Sequence, residues 1–210
     1  MIIAVDGPVA AGKGTLARRI AEKYGFKYLD TGALYRAVGL SLLQKNQDPS
    51  AEDLAIIAAK NVADISLSDP ELRLEHVGNA ASIVAANQGV RAALLDYQRT
   101  IAKHSPGAVL DGRDIGTVVC PDAPVKLFVT ASAEVRAKRR FDELVAKGET
   151  VNLDQVLSDL KERDARDQGR TAAPLTKAED AHLLDTTKLD IEAALDVAYK
   201  IIEKHMPTKT

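Results

Sequence analysis

Residues 7–15 read GPVAAGKGT, and they follow the apolar run MIIAV at residues 1–5. The segment after them, LARRIAEKY at residues 16–24, puts apolar and charged residues on opposite faces at helical spacing. A strand, a glycine-bearing loop and a helix in this order predict a phosphate-binding loop. Backbone N–H groups and the helix N-terminus would surround the phosphates. The stretch therefore predicts that the chain binds a nucleoside triphosphate.

The lysine and the hydroxyl residue of this loop have separate predicted roles. Lys13 would reach the β- and γ-phosphates, and the Thr15 hydroxyl would bind Mg²⁺ directly. Gly14 stands where the common pattern has Ser or Thr, a variant associated with small-molecule and nucleotide kinases. The alternative, a glycine-rich turn that only opens a helix, is disfavoured by the flanking strand and helix. The residues predicted to bind ATP are Gly7, Pro8, Val9, Ala10, Ala11, Gly12, Lys13, Gly14, Thr15 and, from a later helix, Arg139.

Composition limits the class of protein. The chain has 210 residues, of which 46% are hydrophobic, enough for a sizeable core. A net charge of −2 argues against general affinity for nucleic acid or membranes. Cys120 is the only cysteine, so an intrachain disulfide is impossible, and the sequence contains no recognisable secretory signal or membrane span. We therefore expect a cytoplasmic monomer that binds neither nucleic-acid polymers nor membranes.

Strand and helix patterns alternate along the chain. Four more apolar segments are predicted strands, at residues 27–30, 108–111, 125–130 and 182–185. Helical patterns separate nearly all of them, which predicts an α/β fold with a five-stranded parallel sheet flanked by helices. The core of this single domain is expected at about residues 1–37, 106–145 and 173–206.

Two insertions interrupt the alternation. One is a helical segment at about residues 38–105, and the other is a polar segment at about residues 146–172. Loops at the carboxyl ends of parallel strands lie where ligands bind. We therefore expect the first insertion to bind a second ligand, the phosphoryl acceptor, and the second to close over the site as a short lid.

Charged residues follow two predicted strands at this edge. Residues 30–36 read DTGALYR, in which Thr31 would cap a helix and Tyr35 and Arg36 would project about one turn later. Residues 111–114 read DGRD, and an acidic residue that closes an apolar strand is typical of the Mg²⁺-associated carboxylate in phosphate-loop enzymes. Asp111 would support the metal through water.

Two later helices carry arginine clusters. Arg163, Asp167 and Arg170 are spaced by four and three residues, so one helix face can present all three. The preceding helix carries Arg136, Arg139 and Arg140. Each cluster alone also fits a solvated charged face. Together at one sheet edge, with Arg36 and Arg113, they suit phosphoryl transfer between two anions, because guanidinium groups bind phosphate in a bidentate manner.

With these motifs, the chain resembles the bacterial cytidylate kinases of the nucleoside-monophosphate kinase family over nearly its whole length. The matching motifs are DGPVAAGKGT at residues 6–15, LDTGALYR at 29–36, NAAS at 79–82, DGRDIGTVV at 111–119 and RDARDQGR at 163–170. The resemblance implies that ATP, with Mg²⁺, donates a phosphoryl group to CMP or dCMP.

The resemblance also implies which residues form the acceptor site. CMP would be bound by Thr31, Tyr35, Arg36, Ser82, Arg113, Asp114, Arg163, Asp167 and Arg170. Asp167 would accept a hydrogen bond from the exocyclic amine of cytosine. The residues assigned to catalysis are Lys13, Arg36, Arg113, Arg163 and Arg170, with help from the cluster at residues 136–140.

Two departures from the family pattern concern the acceptor side. Thr130 closes the fourth strand where the family often has Asp, so the family's contact to a sugar hydroxyl is not implied here. Residues 66–70 lead almost directly into the ELR segment at 71–73, where the family usually has a small β-hairpin. We therefore expect the acceptor-side sheet to be reduced or absent.

Other functions fit parts of the sequence. Residues 187–190 read TKLD, which fits a guanine-reading pattern of GTP-binding switches, but residues 111–114 lack the DxxG element of such switches. Asp190 is better interpreted as the cap of the last helix. Among enzymes, a kinase for AMP, UMP or a non-nucleotide acceptor such as shikimate stays open, as does the preference among CMP, dCMP and UMP.

Overall fold

A parallel five-stranded sheet forms the centre of the protein, for which the computed structural model describes residues 1–62, 65–67 and 69–206. The strands are β1 (Ile2–Asp6), β2 (Lys27–Asp30), β3 (Ala108–Gly112), β4 (Val125–Thr130) and β5 (His182–Asp185). They lie in the order β2-β3-β1-β4-β5, and every pairing is parallel. The predicted sheet is confirmed, and each strand lies within one residue of its predicted bounds.

Helices flank the sheet on both sides. Within the described ranges they are α1 (Lys13–Tyr24), α2 (Thr31–Leu43), α3 (Glu52–Lys60), α4 (Glu75–Val84), α5 (Gln88–Ala102), α6 (Ala133–Ala146), α7 (Leu153–Gly169) and α8 (Ile191–Glu203). A short 3₁₀ helix, Pro70–Arg73, precedes α4, and a π-helical turn, Ile115–Val119, follows β3. None of the helices in this part of the chain is long and apolar enough to cross a lipid bilayer.

The two faces of the sheet bury different helices. Val5 of β1 belongs to a core with Leu16 of α1 and Ile202 of α8. Its neighbour Ala4 belongs to a core on the opposite face with Leu34 of α2 and other buried side chains of α4 and α5. Successive side chains of a strand point to opposite faces, and a parallel sheet covered on both faces therefore reads as a continuous apolar run. This explains why β1 and β3 contain so few polar residues.

Helix ends follow the local sequence with one exception. Gly25 ends α1 in the left-handed conformation (φ 66°). Asp190 caps α8, as predicted, by accepting a hydrogen bond from Ala193 N at 2.8 Å. The prediction that Thr31 caps α2 is wrong. Asp30 caps this helix, because β2 runs directly into it and Thr31 is already its first residue.

The two interrupting segments are helical. Among the described residues from 38 to 105 no strand is found, and α2 itself continues to Leu43. In the other segment, α7 packs on α6 through a small separate core formed by Ala137, Leu144 and Val156. Because this core is separate from those of the sheet, α7 is supported mainly by α6.

Candidate active site

The loop between β1 and α1 is shaped by glycine and by one lysine. A Cβ atom on Gly7 (φ 151°) would lie 1.9 Å from the carbonyl oxygen of Val129, so only glycine fits against β4 there. Gly12 (φ 87°) precedes α1, whose N-terminus has no side-chain cap from the described residues. Lys13 Nζ donates a hydrogen bond to Pro8 O at 3.1 Å and so folds back over the loop. The result is a concave backbone surface with a helix N-terminus, which suits phosphate.

Lys13 and Asp111 share a desolvated environment next to this loop. Burial and the charge of Arg113 lower the pKa of Lys13, whereas the carboxylate of Asp111 opposes that shift. Burial and the charge of Asp30 raise the pKa of Asp111. The Asp111 carboxylate also accepts a hydrogen bond from the Tyr28 hydroxyl at 3.0 Å. A bound polyphosphate would favour the charged form of Lys13, because an opposite charge nearby stabilises the ammonium group.

The start of α2 is tied to both β2 and β3. The Thr31 hydroxyl donates to Asp111 O at 2.7 Å, which joins the two strand ends. Arg36 Nη2 lies 2.6 Å from Asp30 Oδ2, and this pair is partly exposed. Arg36 is thereby held at the carboxyl edge of the sheet, one turn into α2.

Arg113 and Asp167 join the loop after β3 to helix α7. Arg113 Nε donates to Asp167 Oδ2 at 2.7 Å, and Arg170 Nε donates to Asp167 O at 3.3 Å. Burial raises the pKa of Asp167, but the charges of Arg113 and Arg170 outweigh it, so the pKa is lowered. Burial and the charge of Arg113 lower the pKa of Arg163 to about 10. Three arginines, Arg113, Arg163 and Arg170, therefore lie around one ionised carboxylate, that of Asp167. Their positive charges exceed its single negative charge, so this region is strongly positive.

Four buried donor atoms in this region have no hydrogen-bond partner among the described residues. They are Arg36 Nε, Ser82 Oγ, Arg163 Nε and Arg170 Nη2. An unsatisfied buried polar atom costs about 1–3 kcal/mol, and native proteins contain few of them. All four belong to residues that line one cavity of about 380 Å³, a volume within the range of small-molecule sites. A ligand rich in oxygen atoms would satisfy these donors.

The same cavity brings together most of the site residues predicted from the sequence. It is lined by Val9, Ala10, Lys13, Gly14, Thr15, Thr31, Tyr35, Arg36, Ser82, Asp111, Arg113, Asp114, Arg163, Asp167 and Arg170. A neighbouring cavity of about 240 Å³ is lined by Ala11, Gly12, Thr15 and Arg139. Gly7 and Pro8 line neither cavity. Thr15 lies between the two cavities, which follow one another along the phosphate loop.

Sequence reasoning missed Arg91 of α5. Its guanidinium forms an ion pair with Asp114, and both side chains are almost fully buried. The guanidinium carbon also lies 5.6 Å from the centre of the Tyr35 ring. Arg91 therefore fixes two residues predicted to bind the acceptor, and it lines the cavity itself. Nothing in the sequence around Arg91 distinguishes it from a solvated charge on an amphipathic helix.

Arg136 of the α6 cluster is held by protein atoms. It is buried, and its guanidinium donates to Val9 O at 3.2 Å and to Asp164 Oδ2 at 2.6 Å. Its Nε donates to Ala131 O at 2.9 Å. Because these donors are engaged by protein atoms, Arg136 connects the phosphate loop to α7. It lines neither of the two cavities.

The other two arginines of the α6 cluster face different cavities. Arg139 Nη2 donates to Thr186 O at 2.8 Å beside the smaller cavity. Arg140 forms ion pairs with Glu75 of α4 and Glu143 of α6. Arg140 is the member of the cluster that lines the larger cavity.

The residues present fit a magnesium ion held jointly with a nucleotide. The Thr15 hydroxyl and the Asp111 carboxylate supply hard oxygen atoms in one cavity, as Mg²⁺ prefers. A Cβ on Gly14 would lie 3.5 Å from Asp111 Oδ2, so the missing side chain leaves that carboxylate facing the loop. The described part of the chain contains no group of three or more His, Cys, Asp or Glu residues that could hold a metal ion by itself. The remaining ligands would be phosphate oxygens and water.

Comparisons with known proteins agree with this geometry. A sequence profile of the family described as cytidylate kinase matches residues 3–204. The chain is 54% identical over 203 residues to the cytidylate kinase of Rhodopseudomonas palustris (strain BisB18), which covers 97% of this chain and 96% of the relative. It is 56% identical over 204 residues to the cytidylate kinase of Xanthobacter autotrophicus (strain ATCC BAA-1158 / Py2), with 97% of each chain covered.

A solved structure shares the fold at low sequence identity. An uncharacterized protein from Eubacterium ventriosum ATCC 27560 superposes with a TM-score of 0.58 at 17% identity, over 97% of this chain and 98% of that chain. This likeness concerns the fold alone. The family profile and the two relatives span nearly the whole sequence. The chain therefore belongs to the cytidylate kinase family.

Proposed function

We propose that this protein transfers the γ-phosphoryl group of ATP to CMP or dCMP and releases ADP with CDP or dCDP. The observation that carries the proposal is the larger cavity, which is lined by Lys13 and Thr15 of the phosphate loop and by four residues whose buried donors have no partner among the described residues. Membership of the cytidylate kinase family supports the choice of reaction and of acceptor.

ATP would occupy the phosphate loop and the smaller cavity. The loop's backbone N–H groups and Lys13 would hold its phosphates. The smaller cavity has apolar walls from Leu189 and Ile191 beside the guanidinium of Arg139. Hydrogen bonds to Thr186 hold that planar group in place, which suits stacking against a nucleobase. The adenine ring would therefore lie there.

CMP would occupy the larger cavity. Arg36, Arg113 and Arg170 would bind its phosphate, because their guanidinium groups line the cavity next to Lys13. Ser82 Oγ and the ionised Asp167 would contact the cytosine edge, where the carboxylate accepts from the exocyclic amine. Asp167 now accepts from Arg113 at 2.7 Å, so ligand binding would redistribute this contact.

Catalysis would come from positioning and charge neutralisation. The attacking group is a phosphate oxygen that is already deprotonated at neutral pH, so no strong general base is needed. Lys13 and the converging guanidinium groups would screen the repulsion between two anions. When bound at Thr15 and Asp111, Mg²⁺ would neutralise charge on the β- and γ-phosphates. The segment at residues 146–172 would act as a lid that directs Arg163 and Arg170 over the transferring phosphoryl group and excludes water.

A panel of acceptors tests the proposal. The protein is incubated with ATP and Mg²⁺ and one of CMP, dCMP, UMP, AMP or shikimate, and ADP release and the phosphorylated product are measured. CMP and dCMP are expected to support turnover, and a Lys13→Ala protein prepared in parallel controls for contaminating kinases. Turnover with another acceptor but not with CMP would contradict the proposed acceptor and leave the reaction class intact.

A further inference from the structure

Asp6 is a buried carboxylate that the proposed mechanism does not use. It is the last residue of β1, directly before the phosphate loop, and it is 5% exposed. Its two carboxylate oxygens accept hydrogen bonds from Ile115 N at 2.8 Å and Gly116 N at 2.7 Å, more than one hundred positions further along the chain. It forms no salt bridge with any described residue.

An ionised group in such surroundings is costly and needs a reason. Buried carboxylates are rare unless they are paired with a cation. Burial raises the pKa of Asp6 to about 7, although the hydrogen bonds from Gly116 and Ile115 oppose the shift. The sheet does not need this side chain for its register, because the backbone pairing of β1 with β3 already aligns Asp6 with Gly112. The Asp6 carboxylate instead accepts hydrogen bonds from Ile115 and Gly116, which lie beyond the last residue of β3 that pairs with β1.

The two amides belong to the π-helical turn that follows the DGRD segment. π-helical turns are uncommon and occur frequently at functional sites. The residues directly before the turn are Arg113 and Asp114, which pair with Asp167 and Arg91 respectively. The carboxylate thus holds the backbone one and two residues after Asp114. Helices α5 and α7 therefore meet at a loop that Asp6 fastens to the residue before the phosphate loop.

Close packing leaves this turn little freedom on its other side. A Cβ on Gly116 would lie 3.1 Å from Lys126 Cδ and 3.4 Å from Asp6 Oδ2. Lys126 covers the turn with its aliphatic chain and directs its ammonium group to Asp180 at 2.8 Å. Lys126 therefore packs against the turn, whereas Asp6 hydrogen-bonds to it.

We infer that Asp6 is a positioning residue for the acceptor: its carboxylate orients Arg113 and Asp114 through the amides of Ile115 and Gly116 and does not touch substrate. The inference rests on the proposed function, since it assigns Arg113 and Asp114 to the acceptor. In this assignment, Asp6 links the phosphate loop to the loop after β3.

Steady-state kinetics of Asp6→Asn test the inference. Asparagine has one carbonyl oxygen, so its amide group would face an N–H donor and one of the two hydrogen bonds would be lost. The KM for CMP is expected to rise about tenfold, as for the loss of one hydrogen bond to a charged group. The KM for ATP is expected to change less than about twofold, because the phosphate loop keeps its glycine-defined backbone.

Lys126→Met is the matched control, since it keeps the aliphatic packing on Gly116 and removes only a charge outside both cavities. Its kinetic constants should equal those of the wild type. An unchanged KM for CMP in folded Asp6→Asn would overturn the inference, as would an equal rise in both KM values or an equal effect of Lys126→Met.

A second variant covers the case in which Asp6→Asn does not fold. Gly116→Ala adds a methyl group 3.4 Å from Asp6 Oδ2 and so crowds the hydrogen bond between the Gly116 amide and that carboxylate. This variant should also raise the KM for CMP selectively. A normal KM there would count against the inference. Wild-type turnover with the acceptor panel is measured first: failure with CMP refutes the proposed function, and the variants are then compared with the wild type on whichever acceptor is used.

Discussion

The donor and acceptor sides of the cleft are built from different parts. The donor side is one continuous stretch, residues 7–15, whose shape comes from glycine backbone and a helix N-terminus. The acceptor side is assembled from side chains of α2, α4, α5, α7 and the loop after β3, and several of its arginines are paired with carboxylates of the protein. We therefore expect ATP to meet a surface that the backbone has already formed, whereas CMP would have to exchange partners with existing ion pairs.

The most severe test of this comparison is Lys13→Ala. Lys13 is the one charged side chain of residues 7–15, and electrostatic stabilisation by one such group is worth about 10³-fold in rate. We expect kcat to fall by that order while the fold is retained. Turnover assays and thermal unfolding measure the two effects. Near-normal turnover would refute the role assigned to Lys13.

Arg113→Ala should have a comparable effect from the acceptor side. Removal of an arginine that acts on transition-state charge costs about 10³-fold in kcat. The fold should survive, because Arg170 and Arg163 still neutralise Asp167. Single-turnover kinetics with saturating CMP separate the chemical step from binding. If the rate of that step is unchanged and only CMP affinity falls, Arg113 belongs to ground-state binding alone.

Arg91→Ala tests whether the buried ion pairs of the acceptor side stabilise the protein. It leaves the buried carboxylate of Asp114 without its ion-pair partner, which costs about 3–5 kcal/mol of unfolding free energy. Urea denaturation measures the loss. The double variant Arg91→Ala/Asp114→Asn should recover part of it, because the unpaired charge is removed. Equal destabilisation in both proteins would show that the ion pair is not the cause.

Ser82→Ala should separate binding from stability. The Ser82 hydroxyl is buried without a partner among the residues that the structure describes, so its removal should leave the unfolding free energy unchanged or raised. The KM for CMP should rise about tenfold, in line with one lost hydrogen bond. Ser41→Ala is a matched control, because Ser41 Oγ donates to Val38 O at 2.9 Å away from the cavity. An unchanged KM for CMP would remove Ser82 from the acceptor site.

The smallest expected effect is proton uptake on ATP binding. Burial and Arg113 lower the pKa of Lys13 in the free protein, and phosphate anions would raise it again. Between the lowered pKa and the ordinary lysine value of 10.5, binding should therefore take up a fraction of a proton, and ATP affinity should fall as pH rises. Calorimetry in buffers of different ionisation enthalpy measures this. Equal proton uptake by Lys13→Met would assign it to another group.

Features encoded by neighbouring residues were predictable from the sequence, whereas the partners of charged side chains were not. The strands follow from local pattern, and each lies within one residue of its predicted bounds. Thr31 was misjudged as a cap because the sequence does not reveal that β2 runs into α2 without a connecting residue. The roles of Arg91 and Arg136 depend on carboxylates far away in the chain. Which arginine meets which carboxylate is decided by tertiary packing.

Arg136 also determines how α7 can move. It fastens Asp164 of that helix and Val9 of the phosphate loop to α6 at one point. Because Asp164 lies toward the C-terminal end of α7, the helix is expected to pivot there, with the N-terminal end near Leu153 sweeping the widest arc. Arg163, next to the pivot, would then turn in place rather than travel. Small rotations of the helix would be enough to redirect its guanidinium.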